Sequence, residues 1–390
     1  VAWRKLAAVI AVVTSGALPP FLAGAVGVQL RASLGFGEAR LGLLVGAFFA
    51  SAACWSAVFG RLAERLGPTL SMRLAAVASG STLLGVAVLG RSWSSLAVLM
   101  ACGGGANALA QPAANVFIAR TTSAARLGFA FALKQSGVPA STLLGGLAVP
   151  VFALTVGWRW AFVAAAVLAF VAALTVPSVG AGDGVSRARA PGDEPRAAVS
   201  YRPLAVLAVA IGLGAAAAGT LGAFLTNAAV AAGVGAGSAG LLVSGGSAFG
   251  IAVRLVAGVR ADARGRGHLR VVALMLVLGA VGYALYATEV PWLLVAATPL
   301  AFGAGWGWPG LFNLAVVREN PHAPGLASGV TQTGTYVGAV VGPVVFGAVA
   351  EAWGYRTAWL MASAGALAAA VAMWAGRSMV RRARGLVVPV

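Results

Sequence analysis

Long apolar runs, punctuated by short clusters of Gly, Pro and Arg, recur from one end of this chain to the other. Each approaches the ~20 residues that a helix needs to cross the hydrocarbon core of a bilayer. Twelve spans are predicted: Leu6 to Val28, Leu41 to Phe59, Leu74 to Leu89, Leu96 to Ala119, Leu127 to Val156, Trp160 to Val176, Leu204 to Thr226, Gly240 to Ala257, Val271 to Ala287, Trp292 to Val317, Leu326 to Ala350 and Thr357 to Ala375. One long polar segment, "SVGAGDGVSRARAPGDEPRAAVSYR" at 178–202, has no apolar period. It divides the spans six and six. The expected organisation is an N-terminal six-helix bundle over 1–177, a central loop over 178–202, a C-terminal bundle over 203–376 and a basic tail over 377–390.

Composition agrees with a membrane protein: 60% of residues are hydrophobic and 9% charged, against about 25% charged in soluble domains. A net charge of +18 raises the question of nucleic acid, and the placement of the basic residues answers it. With the N-terminus cytoplasmic, 20 of the 27 fall in cytoplasmic segments, whereas Arg31, Arg40, Arg91, Arg159 and Arg356 fall outside. This is the positive-inside asymmetry. It places both termini in the cytoplasm and explains the basic balance without a nucleic-acid partner; the expected location is the cell's cytoplasmic (inner) membrane. Cys54 and Cys102 lie within spans and are too few for a metal cluster or disulfide framework; they read as small apolar core residues. The start "VAWRKLAAVIAVV" has the charged and apolar regions of a signal peptide, but its apolar character continues to Val28, so an uncleaved first helix is expected.

The six-and-six division points to an internal repeat. At a shift of 197 residues Pro112, Gly128, Gln135, Gly137, Gly145, Gly157 and Arg159 match Pro309, Gly325, Gln332, Gly334, Gly342, Gly354 and Arg356. Between spans 2 and 3, "FGRLAERLGPTLSMRL" carries Gly60, Arg61, Glu64, Arg65 and Gly67; between spans 8 and 9, at a shift of 198, stand Gly258, Arg260, Asp262, Arg264 and Arg266. The pattern G-x-L-a-D-r-x-G-r, with its weaker second copy, resembles the signature of the major facilitator superfamily of transporters, and the resemblance covers essentially the whole chain. Glu64 stands for the usual Asp, Pro68 for a basic residue and Ala263 for an Arg. The resemblance implies an all-α integral membrane fold of two pseudo-symmetric six-helix bundles, usually monomeric, with alternating access to a central cavity. It also implies that Glu64 is the acid of a latch, with Arg61 and Arg65 as its partners, that joins the halves when the cavity faces outward. Physically, such a carboxylate faces the positive end of a neighbouring helix.

Charges in hydrocarbon are costly and mark function. All nine acids fall in loops or at span ends, which weakens simple proton-coupled antiport. Two cations remain inside spans, Lys134 and Arg254. Lys134 either snorkels or holds an anion; it matches Thr331 in the repeat, so a charge has been added to one half of a duplicated scaffold. "GFAFALKQSGVPASTLLGGLAVP" also resembles a lysine-bearing span 5 in permeases related to the cyanate and nitrate transporters, which implies an anion. Arg254 either binds substrate or supports the latch, since Arg254, Gly258 and Asp262 share one helix face. Asn107, Gln111 and Asn115 recur every four residues on span 4, and Gln135, Trp306, Asn313, Gln332 and Tyr336 complete a candidate pocket, unless these amides simply join helices. Gly334, Gly338 and Gly342, like Gly137, Ser141 and Gly145, form small-residue series for close helix approach, and Pro139, Pro150 and Pro343 are expected to kink their helices.

The expected function is transport of a small organic or inorganic anion. The alternative is efflux of an apolar or cationic compound. No nucleophile–base pair or metal set stands in the spans, so neither an enzyme nor a cofactor is expected; a non-transporting sensor with the same fold stays open.

Overall fold

The computed structural model describes residues 2–122, 127–178, 201–263, 267–320 and 323–385. Most of the predicted central loop, together with Arg264 and Arg266, lies outside these residues, as does the side chain of Asp262. Every described element is helical: α1 (Ala2–Ala25), α2 (Gly27–Leu34), α3 (Glu38–Leu66), α4 (Pro68–Leu89), α5 (Trp93–Thr121), α6 (Leu127–Gln135), α7 (Gly137–Ala148), α8 (Trp158–Thr175), α9 (Tyr201–Ala231), α10 (Ala236–Ala263), α11 (His268–Tyr286), α12 (Pro291–Thr298), α13 (Pro309–Glu319) and α14 (Pro324–Gly385). Among the described residues eleven helical runs are long and apolar enough to cross a membrane. The last combines spans 11 and 12, which Gly354 separates with a left-handed φ of 81°. Twelve crossings result, in two six-helix bundles, with both ends of the described chain on one face. That face is called terminal below, and the opposite one distal.

Several boundaries differ from the sequence expectation for local reasons. Span 1 ends at Ala25, and the chain continues as the short, more polar α2, which carries Gln29, Arg31 and Ser33. Residues 60–66 remain helical, so the expected loop between spans 2 and 3 shrinks to Gly67, whose φ of 79° favours glycine. Pro68 follows at the first helical position, where its missing N–H costs nothing. Span 5 is broken at Ser136 and ends in a π-helical turn over Val149–Ala153, and span 10 has a π-helical segment over Pro299–Gly305. Each π segment contains a proline, which removes a backbone donor. Cys54 and Cys102 are exposed on the outer surfaces of their helices and are not core residues. In lipid, an apolar position has no need of burial.

The glycine series act as expected. A Cβ on Gly334, Gly338 or Gly342 would strike the carbonyls of Ala208, Gly212 and Ala216, so α14 lies directly on α9. At the repeat-equivalent place Gly137, Ser141 and Gly145 hold α7 to α1, with Ser141 Oγ donating to the Thr14 carbonyl at 2.9 Å. The bundles meet chiefly along two seams, α3 with α14 and α7 with α10, and α1 and α2 also touch α9. Gly42 abuts the Pro343 carbonyl in one seam, and Gly240 abuts the Gly146 carbonyl in the other. These pairs are related by the repeat offset, as are the left-handed glycines Gly35 with Gly233 and Gly157 with Gly354. The seams are tight toward the distal face. Toward the terminal face α3 and α14 part, leaving a cleft of about 640 Å³.

Candidate functional site

Two prolines prepare the centre of the molecule. Pro139 has no N–H to offer the Gln135 carbonyl four residues earlier, and Pro309 has none for Gly305. Side chains supply the missing donors. Trp308 Nε1 donates to the Gly305 carbonyl at 2.9 Å, and Arg254 Nη1, reaching from α10 in the other bundle, donates to Gln135 at 3.2 Å. The same guanidinium donates through Nε to the Trp306 carbonyl at 3.2 Å and through Nη2 to that oxygen as well. Its Cζ lies 5.7 Å from the centroid of the Trp306 ring, within cation–π range. Arg254 therefore joins the broken centres of spans 5 and 10.

Lys134, one residue before this contact, is 6% exposed. It has no hydrogen bond or ion pair with any described residue. The structure thus brings four predicted site residues, Lys134, Gln135, Arg254 and Trp306, to one place, and the partners of Arg254 there are neutral carbonyls. Trp306 packs against Phe21 at 5.6 Å and Phe302 at 6.0 Å between centroids, and Phe21 against Phe49 at 6.2 Å. This aromatic layer includes side chains of both bundles.

The remaining candidates are distributed around that centre. Asn107 is buried against Gly16, and its Oδ1 accepts from Gln111 Nε2 at 3.4 Å; Asn115 and Asn313 are exposed. Gln332 and Tyr336 line the cleft between α3 and α14, opposite Ala53 and Ser56. In the signature stretch Arg61, Glu64 and Arg65 are exposed on the last turns of α3, and Glu64 makes no ion pair among the described residues. Gly60 has open space around it, and Gly258 lies near the end of α10.

A second polar cluster, at the distal face, escaped the sequence reading. Glu38 Oε1 receives Arg31 Nη2 at 2.6 Å and the hydroxyl of Tyr355. Arg31 Nη2 also reaches Asn227 Oδ1 at 3.3 Å, while Asn227 Nδ2 donates to the Gly24 carbonyl at 2.9 Å. Glu351 Oε2 accepts the Ala39 N–H at 2.8 Å, placing a carboxylate at the positive end of α3. All of these contacts except Arg31–Glu38 cross between bundles. The only signal in the sequence was a set of polar residues at span ends, where solvation is the ordinary expectation.

A family profile described as Major Facilitator Superfamily matches residues 6–266 and 207–385. No curated protein matches by sequence. Among solved structures the chain is similar to a bacterial homolog of the human lysosomal transporter Spinster in an inward-facing and occupied conformation, with a TM-score of 0.74, 16% identity and 96% of each chain covered. It is also similar to the nucleoside transporter NupG, with a TM-score of 0.73, 15% identity, and 96% of this chain and 99% of that one covered. A D-xylose–proton symporter gives a TM-score of 0.71 at 15% identity, covering 95% and 96%. At these identities the likeness is one of fold.

Proposed function

Since the chain belongs to the major facilitator superfamily, a family of multi-pass membrane transporters of small molecules, we propose that it carries a small organic or inorganic anion by alternating access, with Lys134 as the charge that holds the cargo. One observation carries this reading: Lys134 is buried at the middle of the molecule without a protein counter-charge among the described residues. A buried cation in that position is stabilised by an anion taken from solution. Arg254 adds positive potential, though its donors already serve two carbonyls, and Gln332 and Tyr336 lie on the entry cleft. The conformation is inward-facing, with the terminal face cytoplasmic by the positive-inside distribution. The rigid units of the cycle are residues 1–177 and 203–376, joined by the loop 178–202 and followed by the tail 377–390; one chain forms the working unit.

In this state the latch of Glu64 with Arg61 and Arg65 is open, and it engages the region of Gly258, Asp262, Arg264 and Arg266 when the terminal face closes. The test is the melting temperature of the purified protein across small carboxylates, inorganic anions and lipophilic cations, repeated with Lys134→Gln. A ligand at a hundredfold excess over its dissociation constant stabilises by about 2.7 kcal/mol. One anion class should stabilise the native protein and not the variant. Stabilisation by anions equally in both proteins removes Lys134 from the site; stabilisation by lipophilic cations favours efflux, with the Phe21, Phe49 and Trp306 layer as its apolar wall.

A further inference from the structure

Glu38 is the buried acid that the spans lacked. It opens α3 at the distal face, is 9% exposed, and stands on the seam between bundles. Its carboxylate is only half used. Oε1 takes both Arg31 and Tyr355, while Oε2 is buried with no partner among the described residues, as is Nε of Arg31. Among the described residues the titratable groups around it are few: Arg31 from α2, and the neutral Tyr355 with Glu351 from α14. From α9 comes Asn227, which is neutral, and on α3 itself Arg40 is exposed and lies 5.8 Å from the Trp93 ring centroid.

We propose that Glu38 is a proton-binding site that governs opening of the distal face: a proton taken up by its free Oε2 neutralises the carboxylate, ends the Arg31 pair and unlocks the seam. The consequence follows from desolvation. Partial burial of an ion pair is tolerated because each charge compensates the other; once Glu38 is neutral, the half-buried Arg31 guanidinium, whose Nε is enclosed, loses its direct counter-charge. Parting of the bundles admits water to Arg31 and frees Asn227, Tyr355 and the α3 terminus held by Glu351. The equilibrium between closed and open distal faces is thereby linked to proton concentration. The inference rests on alternating access and is independent of the anion.

The experiment places spin labels on cysteines at Ala32 and Ala231, exposed positions at the distal ends of α2 and α9, in full-length protein with Cys54→Ala and Cys102→Ala, reconstituted without any added substrate. On titration from alkaline to acid pH, a longer-distance population should grow in as a one-proton transition. In Glu38→Gln that population should be present at every pH. A pH response that survives in Glu38→Gln, or no response in the parent, overturns the proposal. If Glu38→Gln does not fold, Tyr355→Phe keeps the acid and its cation while removing one hydrogen bond, and must displace the midpoint; an unmoved midpoint assigns the titration to another group and overturns the proposal equally. Failure of anion stabilisation in the melting experiment leaves this outcome untouched, so the two readings fail separately.

Discussion

Arg254 is held where two helices lose their regular hydrogen bonds. Substituting it with Ala leaves the Gln135 and Trp306 carbonyls without their donor, at a cost of about 1–3 kcal/mol for each buried group left bare. The expected result is a clear fall in melting temperature in detergent, only partly recovered by Arg254→Lys, because a single ammonium does not reproduce a planar fork reaching both oxygens. An Arg254→Ala protein as stable as the parent would show that water serves these carbonyls. Pro139, Pro309 and Arg254 were each visible in the sequence, and the orphaned carbonyls of Gln135 and Gly305 follow from proline chemistry alone; that of Trp306 does not, since no proline lies four residues beyond it. The donor was not legible, because it arrives from 119 residues away across the bundle interface. Glu38 was hidden for a related reason: a charged residue at the end of a span is normally solvated, and its burial here depends on Tyr355 and Glu351 folding over it from the other bundle.

At the scale of elements, spacing carried much more. The four-residue interval of Gly334, Gly338 and Gly342 identified a helix face built for close approach, and α9 occupies that face. Gly338→Leu is therefore expected to cost about 1–3 kcal/mol through overpacking, read as a lower melting temperature. Gly245→Leu, where no atom lies within 4 Å of a Cβ, should stay within about 0.5 kcal/mol. Equal effects would mean that helix propensity, and not contact with α9, governs both positions. The interruptions were less legible. Span 5 reads as one continuous apolar run from Leu127 to Val156, yet it breaks at Ser136 and again at Val149–Ala153. Proline announces that a donor is missing, but neighbouring helices decide whether the backbone kinks, shifts to π spacing or recruits a side chain.

For the whole molecule, repeat-related seams make a joint prediction. Gly42 against Pro343 and Gly240 against Gly146 occupy equivalent places on two sides of the interface. Leucine at either glycine wedges the distal seam, so Gly42→Leu and Gly240→Leu should each raise the longer-distance population of the Ala32 and Ala231 label pair at alkaline pH. Two rigid bundles rocking about one axis require both variants to act in the same direction. Widening in one variant alone would mean that a single span bends while the bundles stay together.

Taken by itself, the sequence determined twelve apolar spans, their division six and six, the repeat at 197 and the family signature around Glu64. Those properties are one-dimensional: the length needed to cross hydrocarbon, the sidedness of basic residues, and matched Gly, Gln and Pro in register. Tertiary structure decided which polar residues meet. It placed Lys134 beside the Arg254 contact, sent Gln332 and Tyr336 to a separate cleft, left Asn115 and Asn313 exposed, and drew Glu38 into the distal seam. The reason is that nearly every surface of such a chain is apolar, toward lipid and core alike. Hydropathy then separates membrane from water but not one helix face from another, and only packing between helices reveals which face looks inward.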